Sequence, residues 1–391
     1  MRAQLDAVAG DVVAWRRHLH RHPEPSFEEH ETAAFVAEQL VRLGLSPQRP
    51  TPTSVVATIR GGRPGGVVAL RADLDALPLE EATGLAFASL RPGLMHACGH
   101  DGHTAALLGA AQVLQARRAR LPGELRLIFQ HGEERPPQGA RELVAAGVLA
   151  GVEAIFGLHL WAPLGSGLVG LPYGAAMASA DTFAVELRGR GGHAGLPHDA
   201  RNPIAAAADL VQALARVVAA ETAPGAPAVA TVTTIDAGDA TNVIPERARV
   251  GGTLRALDAA TRRQLLERLD AVATAIATSH RIAAEVTVAA GPDPVVNDDR
   301  LTGVVERACD AAALPVVPFA PLLASDDFGC YQSRVPGVYA FVGAGAADGS
   351  SFPHHHPRFD LDERALATAT ELHVRAAEAL AAAVARRPVE Q

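Results

Sequence analysis

The chain has 391 residues, of which 43 are acidic and 35 basic, giving a formal charge of −8 with 48% hydrophobic residues. That length exceeds one ordinary core, so two domains are expected, and the mild acidic excess without an arginine stripe interleaved with aromatics argues against a nucleic-acid partner. Every cation among Lys and Arg is arginine, which excludes Schiff-base and P-loop lysine chemistry, and the three cysteines, Cys98, Cys309 and Cys330, are too few and too scattered for a disulfide framework.

In chain order, residues 5–43 read as helical, with a break at HPEPSFEEHE, where Pro23 and Pro25 force a loop and Ser26 with Glu29 reads as a capping box. Asp6 and Asp11 interrupt the start before a signal-like apolar stretch could form, and no apolar run is long and unbroken enough to cross a bilayer, so a cytoplasmic protein with no membrane partner is expected. His18 and His22 have the i, i+4 spacing of a metal pair, but Arg16, Arg17 and Arg21 beside them would repel a cation. Strands are expected over 54–59 and 67–73, followed by a cysteine–histidine cluster and a helix from His103 to about Arg118.

Within the cluster, Cys98 and His100 flank Gly99, a spacing that can turn a thiolate and an imidazole toward one metal. Taken alone, the pair reads more readily as a small buried cysteine beside a solvent-facing histidine. A buried strand over 125–130 then ends near the adjacent carboxylates Glu133 and Glu134 of LIFQHGEER. Neighbours at a strand end point opposite ways, so one can ligate a metal while the other serves as a base. His159 in GLHLW is expected at the end of another apolar strand, where ligands of open α/β sheets gather. Late in the chain, His354, His355 and His356 share a proline-bounded loop. Several candidate ligand sets at strand ends and loops together argue for a metal centre more strongly than any one of them.

The alternation of strand and helix predicts an α/β domain, a mostly parallel sheet with helices on both faces, made of residues 1–178 and 292–391. Between them, residues 179–291 read strand (182–187), helix (203–220), strands (228–235, 248–254), helix (259–278), strand (284–290). That βαββαβ order is the ferredoxin-like α+β sandwich, expected as an inserted lid or dimerisation domain.

These residues carry a family resemblance. In order, ALRADLDALPLEE, MHACGHDGHTAALLGAA, the Glu133–Glu134 pair, GLHLW, GRGGHAGLPHDARNPI, TNVIPERARVGGTLRALD and HHPRFDLDE resemble the M20 metallopeptidase family, most closely its amidohydrolase branch, over essentially the whole chain. The resemblance implies two divalent metal ions, Mn, Zn or Co, held by Cys98, His100, Glu134, His159 and His355, with Glu133 as general base and Asp73 orienting the site. His355 is singled out because the family's ligand stands before x-Pro-Arg-[Phe/Tyr]-Asp, and Arg71 stands where other branches carry a metal-binding histidine. Two positions depart from the family pattern. His131–Gly132 replaces the frequent Pro-Ala, which makes His131 a candidate extra ligand or a cause of altered tilt at Glu133, and Asp326–Asp327–Phe328 replaces Glu-Asp-Phe.

By the same resemblance, His193 and Asn242 of the inserted block would donate to a developing oxyanion, and Arg255 would grip the substrate carboxylate. The implied activity is hydrolysis of small N-acyl-L-amino acids to a carboxylate and a free amino acid, in a homodimer or higher homo-oligomer. A dipeptidase or carboxypeptidase with the same site is the alternative. A metal-binding relative without turnover is a further one, against which the presence of Glu133 argues.

Overall fold

The computed structural model describes residues 1–223, 227–346 and 351–386. Helix α1 (Arg2–Arg21) buries Leu5, Val8, Val12 and Leu19 along one stripe, and α2 (His30–Arg42) buries Ala33, Val36 and Leu40. The start of α2 differs from the expected capping box. Glu24 accepts from the backbone N–H groups of Glu31 and Thr32 at 3.2 and 2.7 Å, while the Ser26 hydroxyl donates to Asp75 at 2.7 Å. A buried carboxylate outcompetes backbone groups for that hydroxyl, because charge-assisted bonds are the stronger ones.

Strands β1 (Val55–Arg60) and β2 (Arg63–Asp73) follow, then α3 (His100–Arg117), β3 (Pro122–Gln130), α4 (Gly139–Ala145), β4 (Val152–Gly165) and β5 (Val169–Gly170). Helix α3 begins three residues earlier than the sequence suggests. Gly99, at φ 96, turns the chain into the helix in a backbone conformation that side chains disfavour, so His100 becomes its first residue.

The chain divides into two compact units, one made of residues 1–174, 296–320 and 327–391, the other of 175–295 and 321–326. Leaving β6 (Gly174–Met177), the chain forms β7 (Asp181–Arg188), β8 (Gly192–His193), α5 (Pro203–Glu221), β9 (Ala228–Asp236), β10 (Val243–Ile244), β11 (Arg247–Ala256), α6 (Ala259–His280) and β12 (Ala283–Ala289). Four of these strands make an antiparallel sheet in the order β12-β7-β11-β9. Phe183, Val185 and Leu187 alternate inward along β7 and pack against Leu210, Leu214 and Val217 of α5 and Leu265 and Leu269 of α6. Asn202 and Asp258 cap the two helices through backbone N–H groups. By length and composition α5 could cross a bilayer, a run that the reading of apolar stretches in the sequence does not single out. Its Asp209, paired with His280 at 2.7 Å, and its one packed face make it a helix of this sheet.

The chain returns through β13 (Val295–Asn297), α7 (Asp299–Ala311), β14 (Val316–Val317), α8 (Gly329–Gln332), β15 (Gly337–Gly345) and α9 (Arg364–Ala385). The large sheet has the order β1-β3-β2-β4-β15-β5-β14. Strands β3, β2, β4 and β15 run parallel, whereas β1 meets β3 and β5 meets β15 antiparallel, and the edge strand β14 pairs parallel to β5. Every residue of β15 is buried, as expected of a central strand covered on both faces. Side chains of α1, α3, α7 and α9 share one core with Val68, Leu70, Leu127, Phe156, Val338, Ala340 and Val342 of the sheet's first face. On the other face Phe328, beside α8, packs on Tyr339 with ring centroids 4.8 Å apart.

Candidate metal centre

Paired strands end together at this site. Asp73 closes β2 opposite Gln130, the last residue of β3, and the β2–β4 ladder stops at Arg71 opposite Gly157. His159 therefore lies in the middle of β4, rather than at a strand end as expected. Two residues past the last β2 partner, it faces a crevice that β2 no longer fills. Three further segments converge there: the loop and helix start carrying Cys98 and His100, the turn after β3 carrying Glu133 and Glu134, and the histidine loop.

The five expected ligands come together. Cys98 Sγ is 3.4 Å from His159 Nε2, and His355 Nε2 is 3.3 Å from Glu134 Oε1. His100 Nε2 is 3.9 Å from the same oxygen, and Cys98, His100 and Glu134 each offer a donor atom within 4.8 Å of the others. The remote nitrogens are engaged elsewhere. His100 Nδ1 meets the Asp75 carbonyl at 2.9 Å and its carboxylate at 3.2 Å, and His159 Nδ1 donates to the Leu160 carbonyl at 2.7 Å. Both rings thus turn Nε2 toward the centre, as second partners of ligating histidines do.

Neighbouring histidines are spent. His354 Nε2 accepts from the Ala162 N–H at 3.1 Å, its Nδ1 donates to the Cys98 carbonyl at 3.2 Å, and burial pushes its pKa down to about 3. His356 stacks on Phe352 and accepts from the Arg358 N–H at 3.0 Å. His103 joins Asp73 at 2.6 Å and accepts from the Leu160 N–H at 2.9 Å, so it holds Asp73 and β4 without a free donor atom. Among the triplet only His355, held at φ 63, faces Cys98 and Glu134, which together push its pKa up to about 10.

The donor set fits divalent cations. Glu134 Oε1 is buried with His355 and His100 Nε2 at 3.3 and 3.9 Å but no well-formed hydrogen bond among the described residues, and it sits with a thiol and imidazoles, the mixed soft and borderline ligands of zinc-like and other transition-metal sites.

Asp73 is fully buried, which alone would raise its pKa, yet His100, His103 and Arg71 around it hold it well below the usual carboxylate range. Arg71, itself buried, donates to Asp73 at 2.7 Å, to Gln130 at 2.8 Å and to Asp327 at 2.8 Å. Asp327 also accepts from the Ala140 N–H at 3.0 Å, and its own N–H donates to Glu133 Oε1 at 3.4 Å. Glu133 and Glu134 consequently diverge, one toward Asp327 and the other toward His355, although both lie beyond the end of β3.

His131 does not join the centre. It meets Glu142 at 3.0 Å and Thr51 at 3.4 Å, with its ring edge-on to Phe27, because the turn after Gln130 points it to the far side. His18 lies stacked on Phe35, 4.3 Å between centroids, and takes no part either. In the second unit, His193 of β8 pairs with Val243 of β10, and the Ala194 N–H donates to the Asn242 carbonyl at 3.1 Å, so His193 and Asn242 stand side by side. Arg255 is half-buried on β11, its guanidinium donating to the Leu323 carbonyl at 3.1 Å.

The family model described as peptidase family M20/M25/M40 matches residues 69–379. The chain belongs to that family. Among M20 relatives, the N-acetyl-L-cysteine deacetylase of Bacillus subtilis (strain 168) is 43% identical over 368 residues, covering 94% of this chain and 87% of the relative. The N-acyl-L-amino acid amidohydrolase of Geobacillus stearothermophilus is 46% identical over 296 residues, 75% of this chain and 80% of the relative. A crystal structure from Bacillus subtilis, described as a dinuclear metal binding peptidase from the M20 family, superposes with a TM-score of 0.86 at 35% identity, over 96% of this chain and 99% of that one.

Sequence reasoning about this M20 chain missed Asp75, which holds His100 through two acceptors and takes the Glu134 N–H at 2.9 Å. The available signal was its place two residues after Asp73 in RADLDALP, just beyond the strand end.

Proposed function

We propose that this protein is a dinuclear-metal amidohydrolase that cleaves N-acyl-L-amino acids to a carboxylate and a free amino acid. The observation that carries the reading is the convergence of Cys98, His100, Glu134, His159 and His355 beside a second carboxylate, Glu133, that points elsewhere. The names of the two amidohydrolase and deacetylase relatives support the substrate class. When bound, two divalent cations, Mn, Zn or Co, supply Lewis-acid polarisation of the scissile carbonyl and lower the pKa of water.

The chain's own residues do the rest. Glu133 takes the proton of the attacking water and returns it to the nitrogen as the C–N bond breaks, leaving the acyl carboxylate and the amine. Asp73, braced by Arg71 and His103, orients the site, its carboxylate lying 3.7 Å from His100 Nε2. Residues 179–291 act as the lid and dimerisation domain inserted in the catalytic domain of 1–178 and 292–391. Within it His193 and Asn242 stabilise the oxyanion and Arg255 binds the substrate carboxylate, in a cytoplasmic homodimer or higher homo-oligomer.

Chelation should abolish hydrolysis of a panel of N-acetyl, N-benzoyl and indole-acetyl amino acids, and Mn, Zn or Co should restore it. Dipeptides in the same panel separate an amidohydrolase from a dipeptidase. Active protein with no transition metal by elemental analysis would overturn the reading.

A further inference from the structure

Four buried side chains upstream of the family-matched residues 69–379 reach the metal centre. Arg16, 0% exposed, donates to Asp101 at 2.9 Å and to Asp360 at 2.9 Å. Asp101 follows His100 on α3, and Asp360 lies five residues after His355, so one guanidinium ties the ligand helix to the ligand loop. His20 adds a second bond to Asp101 at 2.8 Å. Ser26 donates to Asp75 Oδ2 at 2.7 Å, the same oxygen that accepts the Glu134 N–H at 2.9 Å, and Asp75 also holds His100. Glu29, also 0% exposed, accepts the Gly132 N–H at 2.7 Å, one residue before Glu133.

The turn bearing both glutamates is thus hung from two buried carboxylates, Glu29 and Asp75. Gly132 needs its left-handed φ of 58 there, and a Cβ on it would strike the Phe27 ring, which the same upstream segment supplies. Burying Arg16 and Glu29 is costly if they serve packing alone, since a buried charge or polar group is stabilised only when its bonds are made. Apart from a longer Arg16 bond to Glu363 at 3.3 Å, the bonds they make run to Asp101, Asp360 and the Gly132 N–H, the backbone or acidic neighbours of the proposed ligands and base.

We infer that residues 16–29 are a positioning segment of the metal centre, with Glu29 and Ser26 setting the turn that carries Glu133 and Glu134 and Arg16 setting the distance between His100 and His355. This rests on the reading of the five side chains as metal ligands. The inference concerns geometry held at a distance, so its effect falls on metal affinity and on kcat, with KM little changed.

The test is Co(II) affinity of the full-length protein, by chelator competition at 25 °C, alongside Tm and steady-state kinetics. Glu29→Leu, which removes the acceptor of the Gly132 N–H, should weaken Co(II) about 10–100-fold, the usual cost of losing a partner behind a ligand. Glu29→Gln keeps an acceptor oxygen and should restore affinity to within about threefold of the parent. Ser26→Ala should weaken Co(II) about 10-fold, and it decides the question if Glu29→Leu does not fold. A lower Tm with unchanged Co(II) affinity in Ser26→Ala and in folded Glu29→Leu would make the segment a packing element and overturn the inference. Parent protein that binds no Co(II) would instead overturn the metal-site reading itself.

Discussion

His373 sits fully buried in α9 with neither ring nitrogen bonded among the described residues, its ring edge-on to Phe156 at 5.5 Å. Burial, with His103 adding like charge, pushes its pKa down from 6.5 to about 3. A group depressed on folding contributes stability that is fully present above its unfolded pKa and is lost as the pH falls toward the folded one. At pH 5 protonation of the unfolded chain shifts the folding equilibrium about 30-fold toward unfolding, so the residue alone should withdraw about 2 kcal/mol relative to pH 8. Replacing it with leucine removes two orphan polar atoms as well as the titration. His373→Leu should be near neutral at pH 8, within about 1 kcal/mol, since swapping an unbonded buried polar group for an apolar one of similar size costs little. Urea-unfolding midpoints at pH 8 and pH 5, with chelator present so that metal release does not enter, provide the comparison. The parent should lose about 2 kcal/mol more than the variant between those pH values. Equal losses in both proteins would refute a neutral, unpartnered His373.

Glu133→Gln should keep its metal by elemental analysis while kcat falls by about 10²–10⁴, and Glu134→Ala should lose metal. Arg16→Met leaves the buried Asp101 facing His20 alone, and denaturant titration should show a loss of about 3–5 kcal/mol. His20 is driven down by burial but raised more by Asp101 and Glu81, to about 9 from 6.5. Its contribution is complete below pH 6.5 and lost as the pH rises through 9, so the parent should shed up to about 3 kcal/mol on the alkaline side, whereas His20→Asn should be flat there by the same titration.

The sheet and the ligands were legible because their signals are local. Apolar runs bounded by turns mark β2, β3 and β4, and an unusual density of histidine, cysteine and glutamate follows their ends. What was not legible depends on partners far away in sequence. Ser26 and Glu29 have the spacing of a capping box, yet their acceptor and donor are Asp75 and Gly132, which no local pattern can reveal. Arg16 argues in the sequence against a metal at His18 and His22, and the structure gives it a different task, bridging Asp101 and Asp360 across more than 250 residues of sequence. The sequence puts His159 at a strand end because it shows where an apolar run stops, but not where its neighbour β2 stops. His131 shows the converse error: a histidine near the glutamates in sequence is turned to Glu142 by one backbone step.

Strand β15 is inserted between β4 and β5, although residues 166–336 are made after β4 and before it. On a ribosome adding about 5–20 residues per second, those roughly 170 residues take about 10–30 s to appear. During that interval Phe156, Leu158 and Leu160 lie along a strand with one bare edge, the situation in which a nascent chain pairs with another copy of itself. The whole of the second unit emerges in the same interval and can fold meanwhile, and His355 follows only ten residues after β15. Four candidate ligands therefore wait for the fifth until β15 has been made, and a factor that shields the β4 edge in that interval would raise the yield of active protein without touching the finished site.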